Sequence, residues 1–327
     1  MDVNKAINSH ETPEESKDIR PQTLDSYIGQ EDIKKIISGS IKAAKQRNEP
    51  LQHMLFYGPP GLGKTTISCI IANEMNKNIK ITTGPAIEKA GDMVALFSSL
   101  SDGDIVFIDE IHSLNRLIEE ILFPAMVDFA VDVFIGEWAS KRSLRIDLPR
   151  FTLIGATTRA GMLSAPLRDR FGMINKMEFY NPEDLKHIVM RSARILGIAV
   201  SEQGAYEIAL RSRGTPRLAN RLLRQIRDFA QIEYENMIDE KVVFEIFSLL
   251  KIGENGLDQN DEKYLKAIND IGNGLPVGIS TLSSILGEDE GTIVDVYEPY
   301  LLQQGYVNKT PRGRILTDKG IDYLKRK

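Results

Sequence analysis

The chain has 327 residues and a mass of 36.7 kDa, is 42% apolar and 27% charged, and carries a formal net charge of −5. That length allows two or three domains with cores of their own, and no apolar run approaches the roughly 20 residues that span a bilayer. The acidic balance argues against general coating of nucleic acid, and one cysteine, Cys69, excludes internal disulfides and multi-thiolate zinc sites and points to a reducing cytoplasm. Residues 1–17 are polar and mixed in charge, with no signal-peptide core, and are expected to form a disordered tail.

Ile19-Arg20-Pro21 opens the ordered part. After Gly29 the apolar residues Ile33, Ile36, Ile37 and Ile41 mark one face of a helix. His53–Tyr57 reads as a buried parallel strand. It leads into Gly58–Thr66, GPPGLGKTT, which fits G-x-x-x-x-G-K-[ST] with Gly58, Gly63, Lys64 and Thr65 in register. Ile67, Ile70, Ile71 and Met75 then recur at helical spacing, so the loop joins a strand to a helix N-terminus. Each part has a task there. The glycines let the backbone curl around an anion, and the N–H groups of the helix start point at it. Lys64 supplies a point charge to the outer phosphates, and the Thr65 hydroxyl can ligate magnesium. This is a nucleoside triphosphate site.

Ile79–Thr83 reads as a strand and Ala90–Leu100 as a helix. Asp104–Glu110 is a central strand, four apolar residues running into two carboxylates at the end that faces the ligand crevice. Burying two acids is costly unless a magnesium–nucleotide complex compensates them. Asp109 would hold the metal through water, and Glu110 would polarise the attacking water as general base. A helix follows over Glu119–Phe129. Val131–Ile135 and Ser143–Leu148 bracket a hairpin with Trp138 near its tip, an aromatic that suits a partner surface or folds back on its own hairpin. Phe151–Ala156 is a buried strand ending in Thr157-Thr158-Arg159, where a hydroxyl could meet the terminal phosphate or the attacking water. In Leu167–Phe171, Arg168 and Arg170 flank Asp169, by themselves an ordinary ion-pair cluster.

Asn181-Pro182 breaks the chain after a strand ending at Phe179-Tyr180. Leu185–Leu196, Glu202–Arg211, Pro216–Glu235 and Lys241–Leu250 show helical spacing, and Thr215-Pro216 is suited to start the third of these, with Thr as N-cap and Pro at N1. The Gly/Asn/Asp-rich stretch Gly253–Asn260 marks a second boundary. Helices over Glu262–Ile271, Ser280–Leu286 and Thr292–Gln304 and strands over Tyr306–Thr310 and Arg314–Thr317 make a winged-helix pattern. From Gly305 to Lys327 there are seven basic residues against two acids, a local excess that suggests contact with a phosphate backbone.

GPPGLGKTT, FIDEIH, GATTR, PLRDRFG and GTPRLANRLLR, in this order and spacing, resemble the RuvB family of AAA+ ATPases, bacterial motors of Holliday-junction branch migration. EKAGD (Glu88–Asp92), IDLP (Ile146–Pro149) and EPYLLQQG (Glu298–Gly305) are shared with that family rather than with AAA+ proteins at large. The resemblance covers the chain from Ile19 onward. It implies an α/β AAA+ P-loop ATPase core, a parallel sheet flanked by helices, over 1–180. A small all-helical lid would occupy 181–252 and a C-terminal winged-helix domain 253–327. It further implies ATP and Mg2+ as cofactors and a cytoplasmic homo-oligomeric ring, expected to be a hexamer. That ring would act on duplex DNA flanking a four-way junction, with the junction-binding partner RuvA and the resolvase RuvC.

Laid on matching positions, the resemblance implies that Ile19, Arg20, Gly58, Gly61, Leu62, Gly63, Lys64, Thr65, Thr66, Val127, Asp128, Phe129, Tyr180 and Arg217 surround the nucleotide. Thr158 would sense the γ-phosphate beside the catalytic Asp109 and Glu110. Arg170 would be an arginine finger acting on ATP held by the neighbouring subunit, a rigid guanidinium that stabilises charge developing on the phosphoryl oxygens. Lys309, Arg312 and Arg314 would hold DNA. The hairpin Val131–Leu148, with Val133, Ile135, Leu144 and Ile146, would dock the junction-binding partner. Two positions depart from the family pattern: Gly291, where a basic residue is usual, and Ser113, where arginine is common. A clamp loader fits less well, having a helical collar in place of the winged helix, and a nucleotide-switched transcriptional regulator does not need the full acid, finger and sensor set.

Overall fold

The computed structural model describes residues 19–135 and 142–326, so the expected N-terminal tail and the hairpin tip bearing Trp138 lie outside the described residues. The chain folds into two compact units. One runs to Gly197 and includes Thr215–Asn220; the other comprises Ile198–Gly214 and everything from Arg221 onward.

The first unit begins with α1 (Glu31–Arg47), which buries Ile33, Ile37, Ile41 and Ala44 at the expected spacing. Then come β1 (Met54–Tyr57), α2 (Lys64–Met75), β2 (Ile79–Thr83), α3 (Ala90–Ser98), β3 (Ile105–Asp109) and α4 (Arg116–Val127). A hairpin of β4 (Ala130–Ile135) and β5 (Arg142–Asp147) precedes β6 (Thr152–Thr157), α5 (Ala165–Arg168), β7 (Met173–Lys176) and α6 (Pro182–Ile195). Among the described residues the main sheet has five parallel strands in the order β2-β3-β6-β1-β7. The three middle strands are near-continuous apolar runs because helices cover both faces, and β6 is buried at all six positions. Since the strands are parallel, the C-terminal ends of β1, β3 and β6 lie along one edge.

One element differs from the sequence reading. The edge strand is Met173–Lys176, not a strand ending at Phe179-Tyr180; pairing with β1 stops where Met177 N–H donates to the Tyr57 carbonyl (2.8 Å). The polar Asn175 and Lys176 weaken the apolar signal of this strand, while Phe179 and Tyr180 mimic one.

The second unit holds β8 (Ala199–Val200), α7 (Glu202–Leu210), most of α8 (Pro216–Glu233), β9 (Met237–Ile238) and α9 (Glu240–Leu250). Its helices are pinned by a short parallel pairing of β8 with β9. Beyond these lie α10 (Gln259–Gly272) and α11 (Ile279–Leu286). The next helix, α12, is α-helical over Glu290–Thr292, π-helical over Ile293–Tyr297 and α-helical again over Glu298–Gln303. Pro299 has no N–H to donate into the preceding turn, and the widened stretch sits immediately before it. The wing is β10 (Val307–Thr310) paired with β11 (Gly313–Leu316), and α13 (Asp318–Lys325), absent from the sequence reading, closes the chain. Leu257, Tyr264, Leu265, Leu282, Ile293, Leu301 and Tyr306 form the winged-helix core.

Candidate active site

The phosphate loop leaves β1 through Gly58 and enters α2 through Gly63. Gly63 has φ +97°, and a Cβ there would stand 2.9 Å from the Tyr27 hydroxyl; at Gly58, φ +146°, a Cβ would stand 2.6 Å from the Met177 carbonyl oxygen. Both positions need glycine. With Gly63 at the N-cap, no side chain accepts the first N–H groups of α2, and its first turn carries no acid, so donors and dipole are left for an anion. Lys64 is folded back along the loop, its Nζ donating to the carbonyls of Gly58 (2.8 Å) and Pro59 (2.9 Å). Burial lowers its pKa, opposed by the charges of Asp109 and Glu110. Thr65 and Thr66 follow in the first turn of the helix.

Two tyrosines hold the loop from below. The hydroxyls of Tyr180 and Tyr27 lie 2.9 Å apart, and they reach the Leu62 carbonyl at 3.2 and 3.4 Å. Burial raises both phenol pKa values, that of Tyr180 to about 12, so both remain protonated donors. Tyr180, only 6% exposed, thus meets the loop rather than offering a free ring face. Arg191 of α6 ties down the N-terminal stretch, donating to the carbonyls of Ser26 (2.6 Å) and Ile19 (3.2 Å). Ile19 is buried and Arg20 half-buried, close enough to Cys69 on α2 for its charge to oppose the rise that burial causes in the thiol pKa. Arg191 escaped the sequence reading, because it belongs to no recurring spacing. Thr215 caps α8 as expected, accepting the Leu218 N–H at 3.4 Å, and the Arg217 N–H donates to the Gly61 carbonyl at 3.4 Å.

The carboxylates arrive on β3. Asp109 Oδ1 accepts the Glu110 N–H (2.9 Å). Burial raises the Asp109 pKa; the hydrogen bond from the Glu110 N–H opposes the rise more than the Glu110 charge adds to it, and Lys64 and Arg217 oppose it further. Glu110 holds the left-handed conformation at φ +48°, a strain on the order of 1–2 kcal/mol for a residue with a Cβ. That turn places its carboxylate 3.2 Å from His112 Nδ1 and 3.4 Å from the Thr158 hydroxyl. His112 Nδ1 is also 2.8 Å from the buried Thr157 hydroxyl. The C-terminal ends of β1, β3 and β6 therefore bring Lys64, Asp109, Glu110 and Thr158 into one site, with Thr157 and His112 as members the sequence did not single out.

The site suits a hard divalent cation. Thr65 offers a hydroxyl, and Asp109 is a half-buried carboxylate whose nearest lysine is already held by two carbonyls. Among the described residues no cluster of three or more His, Cys, Asp or Glu would hold a metal by itself. A magnesium ion, which takes most of its ligands from phosphates and water, fits so ligand-poor a site.

Three residues expected around the nucleotide do not join this site. Helix α4 leaves the C-terminal end of β3 and runs back, so Val127, Asp128 and Phe129 lie at the opposite end of the sheet. Phe129 packs against His53, just before β1, and Phe151, just before β6, with ring centroids 6.2 and 5.8 Å apart. Asp128 pairs with Arg145 of β5 at 3.0 Å, and Val127 is exposed. The four residues of β1, about 13 Å of strand, separate this end from the phosphate loop. Arg170 is also at this end, lining a cleft with His53, Phe129 and Arg150. Its Nη1 donates to the Pro166 carbonyl (2.6 Å), and its guanidinium lies over the Phe123 ring, 4.4 Å from the centroid.

On the wing, Arg312 sits in the exposed β10–β11 turn and Lys309 is exposed. Arg314 does not fit a DNA contact. It is 7% exposed, and its Nε and Nη2 lie 2.5 and 3.2 Å from the two carboxylate oxygens of Glu298, itself 1% exposed. The Tyr264 hydroxyl donates to the same carboxylate at 3.0 Å. A buried Glu298 demands a counter-charge, and Arg314 supplies it. On the β4–β5 hairpin, Val133 pairs with Leu144 and Val131 with Ile146. Leu144 is 49% exposed, but Ile146 is turned against the core and does not serve as a free docking contact; the side chains of Val133 and Ile135 lie outside the described part.

Comparison with known proteins agrees with this geometry. Residues 19–177 match the Holliday junction DNA helicase RuvB P-loop domain, 180–253 the RuvB AAA lid domain and 254–325 the RuvB C-terminal winged helix domain. The solved structure of the Thermotoga maritima RuvB Holliday junction branch migration motor is 46% identical, covers 94% of this chain and 98% of its own, and superposes with a TM-score of 0.85. Its K64R and R170A forms match at the same identity and coverage, with TM-scores of 0.85 and 0.84. With the phosphate loop, the paired acids and the winged helix all in their places, the chain belongs to the RuvB family of P-loop AAA+ ATPases.

Proposed function

We propose that the chain is the ATP-hydrolysing subunit of a ring that drives branch migration of four-way DNA junctions. ATP would sit on the Gly58–Thr66 loop, with Gly61, Leu62 and Thr66 along its phosphates, Ile19 and Arg20 toward the base, and Arg217 reaching in from the start of α8. Mg2+ would be held by Thr65 and, through water, by Asp109. Glu110 would polarise the attacking water, with Thr158 beside it as the sensor of the terminal phosphate.

One observation carries the ring. Arg170 lies at the opposite end of the sheet from Lys64, about a full strand length away. A guanidinium there cannot serve the ATP of its own chain, but a head-to-tail neighbour could present its pocket to it. Val127, Asp128 and Phe129, placed beside Arg170, would then border the neighbour's nucleotide. The ring, by family expectation a cytoplasmic hexamer, would encircle duplex DNA, with phosphate contacts from Arg312 and Lys309. RuvA would dock on the β4–β5 hairpin through Leu144, and RuvC would resolve the junction.

Mixed rings test this reading. Lys64→Ala chains keep a finger and lack a working pocket; Arg170→Ala chains keep a pocket and lack the finger. Each alone should hydrolyse ATP poorly, and a mixture should recover turnover and strand movement on a synthetic four-way junction. If sizing shows mixed rings and no mixing ratio exceeds its parents, the trans assignment is wrong.

A further inference from the structure

Beyond assigning the finger, the structure holds an aromatic surface against it. We infer that Phe123 of α4 is a positioning residue for hydrolysis in the adjacent subunit, its ring being the platform on which the Arg170 guanidinium is oriented. The inference rests on reading Arg170 as a finger in trans.

Arg170 follows the short helix α5 at the strand-start end of the sheet, and the 4.4 Å separation from the Phe123 centroid is that of a guanidinium lying over a ring face. Its other tether is the Pro166 carbonyl at 2.6 Å, a single hydrogen bond from Nη1. Its Nε is buried and, among the described residues, has no hydrogen-bond partner. One bond from a group with five donors leaves the plane of the guanidinium free to turn, and a buried donor without a partner gives no help in fixing it. The ring supplies what the hydrogen bonds do not. It confines the guanidinium to one plane, and it does so on a support tied to the core: Phe123 is half-buried and packs against the core cluster under α4, alongside Leu122 and Met126. A misplacement of about 1 Å in such a group is enough to lower turnover strongly.

The mixed rings separate this role from a structural one, because finger and pocket then belong to different chains. Phe123→Leu keeps an apolar side chain and removes the ring face. Placed in the finger-donating Lys64→Ala chain, it should cut turnover of the mixture by about 2- to 10-fold with KM changed by less than about twofold. Placed in the pocket-donating Arg170→Ala chain, whose finger is already gone, it should change turnover by less than about twofold. Phe123→Tyr in the finger donor, which keeps the face, should restore the parent value. Equal losses in both chains would mean a packing role only, and no loss in the finger donor would mean that the ring does not orient Arg170; either overturns the proposal. If Phe123→Leu chains fail to enter rings, Phe123→Met against Phe123→Tyr makes the same comparison. A mixture without Phe123 changes that shows no recovery would instead refute trans catalysis, and this proposal with it.

Discussion

Arg314→Ala should damage the winged helix before it touches DNA. The guanidinium and Glu298 form a two-pronged ion pair almost wholly out of solvent, with Tyr264 donating a third hydrogen bond to the same carboxylate. Removing the arginine leaves a buried carboxylate with no cation closer than Lys309, whose ammonium stands 4.0 Å away on an exposed side chain. Breaking a buried pair from one side costs about 3–5 kcal/mol, roughly a fifth or more of the stability of a typical domain. The neighbouring Arg312→Ala, in an exposed turn, should cost no more than about 0.5 kcal/mol. Replacing both partners, as Arg314→Met with Glu298→Leu and Tyr264→Phe to remove the hydroxyl that Glu298 accepts from, should recover most of the loss, because the penalty comes from the unpaired charge rather than from the absent pair. Hydrogen exchange at the amides of β10, β11 and α12, followed alongside urea unfolding of the full chain, reads this directly. If Arg314→Ala keeps wild-type protection and midpoint yet loses DNA affinity, the guanidinium is not committed to Glu298 and the burial argument is wrong.

Other expectations follow from the same geometry. Glu110→Gln should still bind ATP, since the loop and Asp109 are untouched, but should lose about 10²–10⁴-fold in turnover; hydrolysis at the wild-type rate would remove Glu110 from the mechanism. Lys309→Ala with Arg312→Ala should weaken DNA binding regardless of sequence and reduce the salt slope by roughly two phosphate contacts, with basal ATPase intact; an unchanged slope would put the DNA contact elsewhere. Stability should also fall on acidification through His53. Its Nδ1 accepts the Leu153 N–H (2.8 Å) and its Nε2–H faces the Met126 carbonyl (2.9 Å), so only the neutral ring fits. Burial lowers its folded pKa below the ordinary 6.5, so the unfolded chain takes up the proton first. The contribution is complete above about pH 6.5 and is lost as pH falls toward the lowered value. His53→Asn should flatten the dependence of melting temperature on pH between neutrality and mild acid, and an unaltered slope would rule His53 out as its source.

The strand, loop and helix around Lys64 were legible because three independent patterns coincide there: an apolar run, a glycine spacing and a helical period. The acid pair on β3 was legible for a similar reason, since two carboxylates ending a buried strand need something to compensate them. Tyr27 and Tyr180 show the limit. Tyr180 was marked by resemblance as a residue around the nucleotide, yet its hydroxyl meets the Leu62 carbonyl and, beside it, the hydroxyl of Tyr27, 153 residues away in the chain. No local pattern encodes such a meeting. Arg314 failed for another reason. Counting basic residues measures charge along the chain, and only the fold reveals that Glu298, 16 residues earlier, has already claimed one of them. Ile146 repeats the lesson on the hairpin: alternation places it on a face, and packing decides that the face is turned to the core.

Residues 127–129 and Arg170 carry the deeper version of that limit. Matching them to a nucleotide site says that they lie near ATP and leaves open whose ATP it is. Sheet direction is what supports the neighbour's ATP in the proposed reading, because every strand of a parallel sheet has its acid- and loop-bearing end on one edge and its start on the other. A helix that leaves β3 at the first edge must deliver its C-terminus to the second, and α4 does so, carrying Phe123 and Phe129 to the side where Arg170 stands. Half of the proposed chemistry is therefore placed where its own chain cannot use it. In the proposed ring, hydrolysis in one subunit would depend on a neighbour holding its guanidinium in the right plane, so the rate at one pocket would report the pose of the next chain. Coupling between subunits would then need no separate relay: it would follow from which end of the sheet each residue occupies.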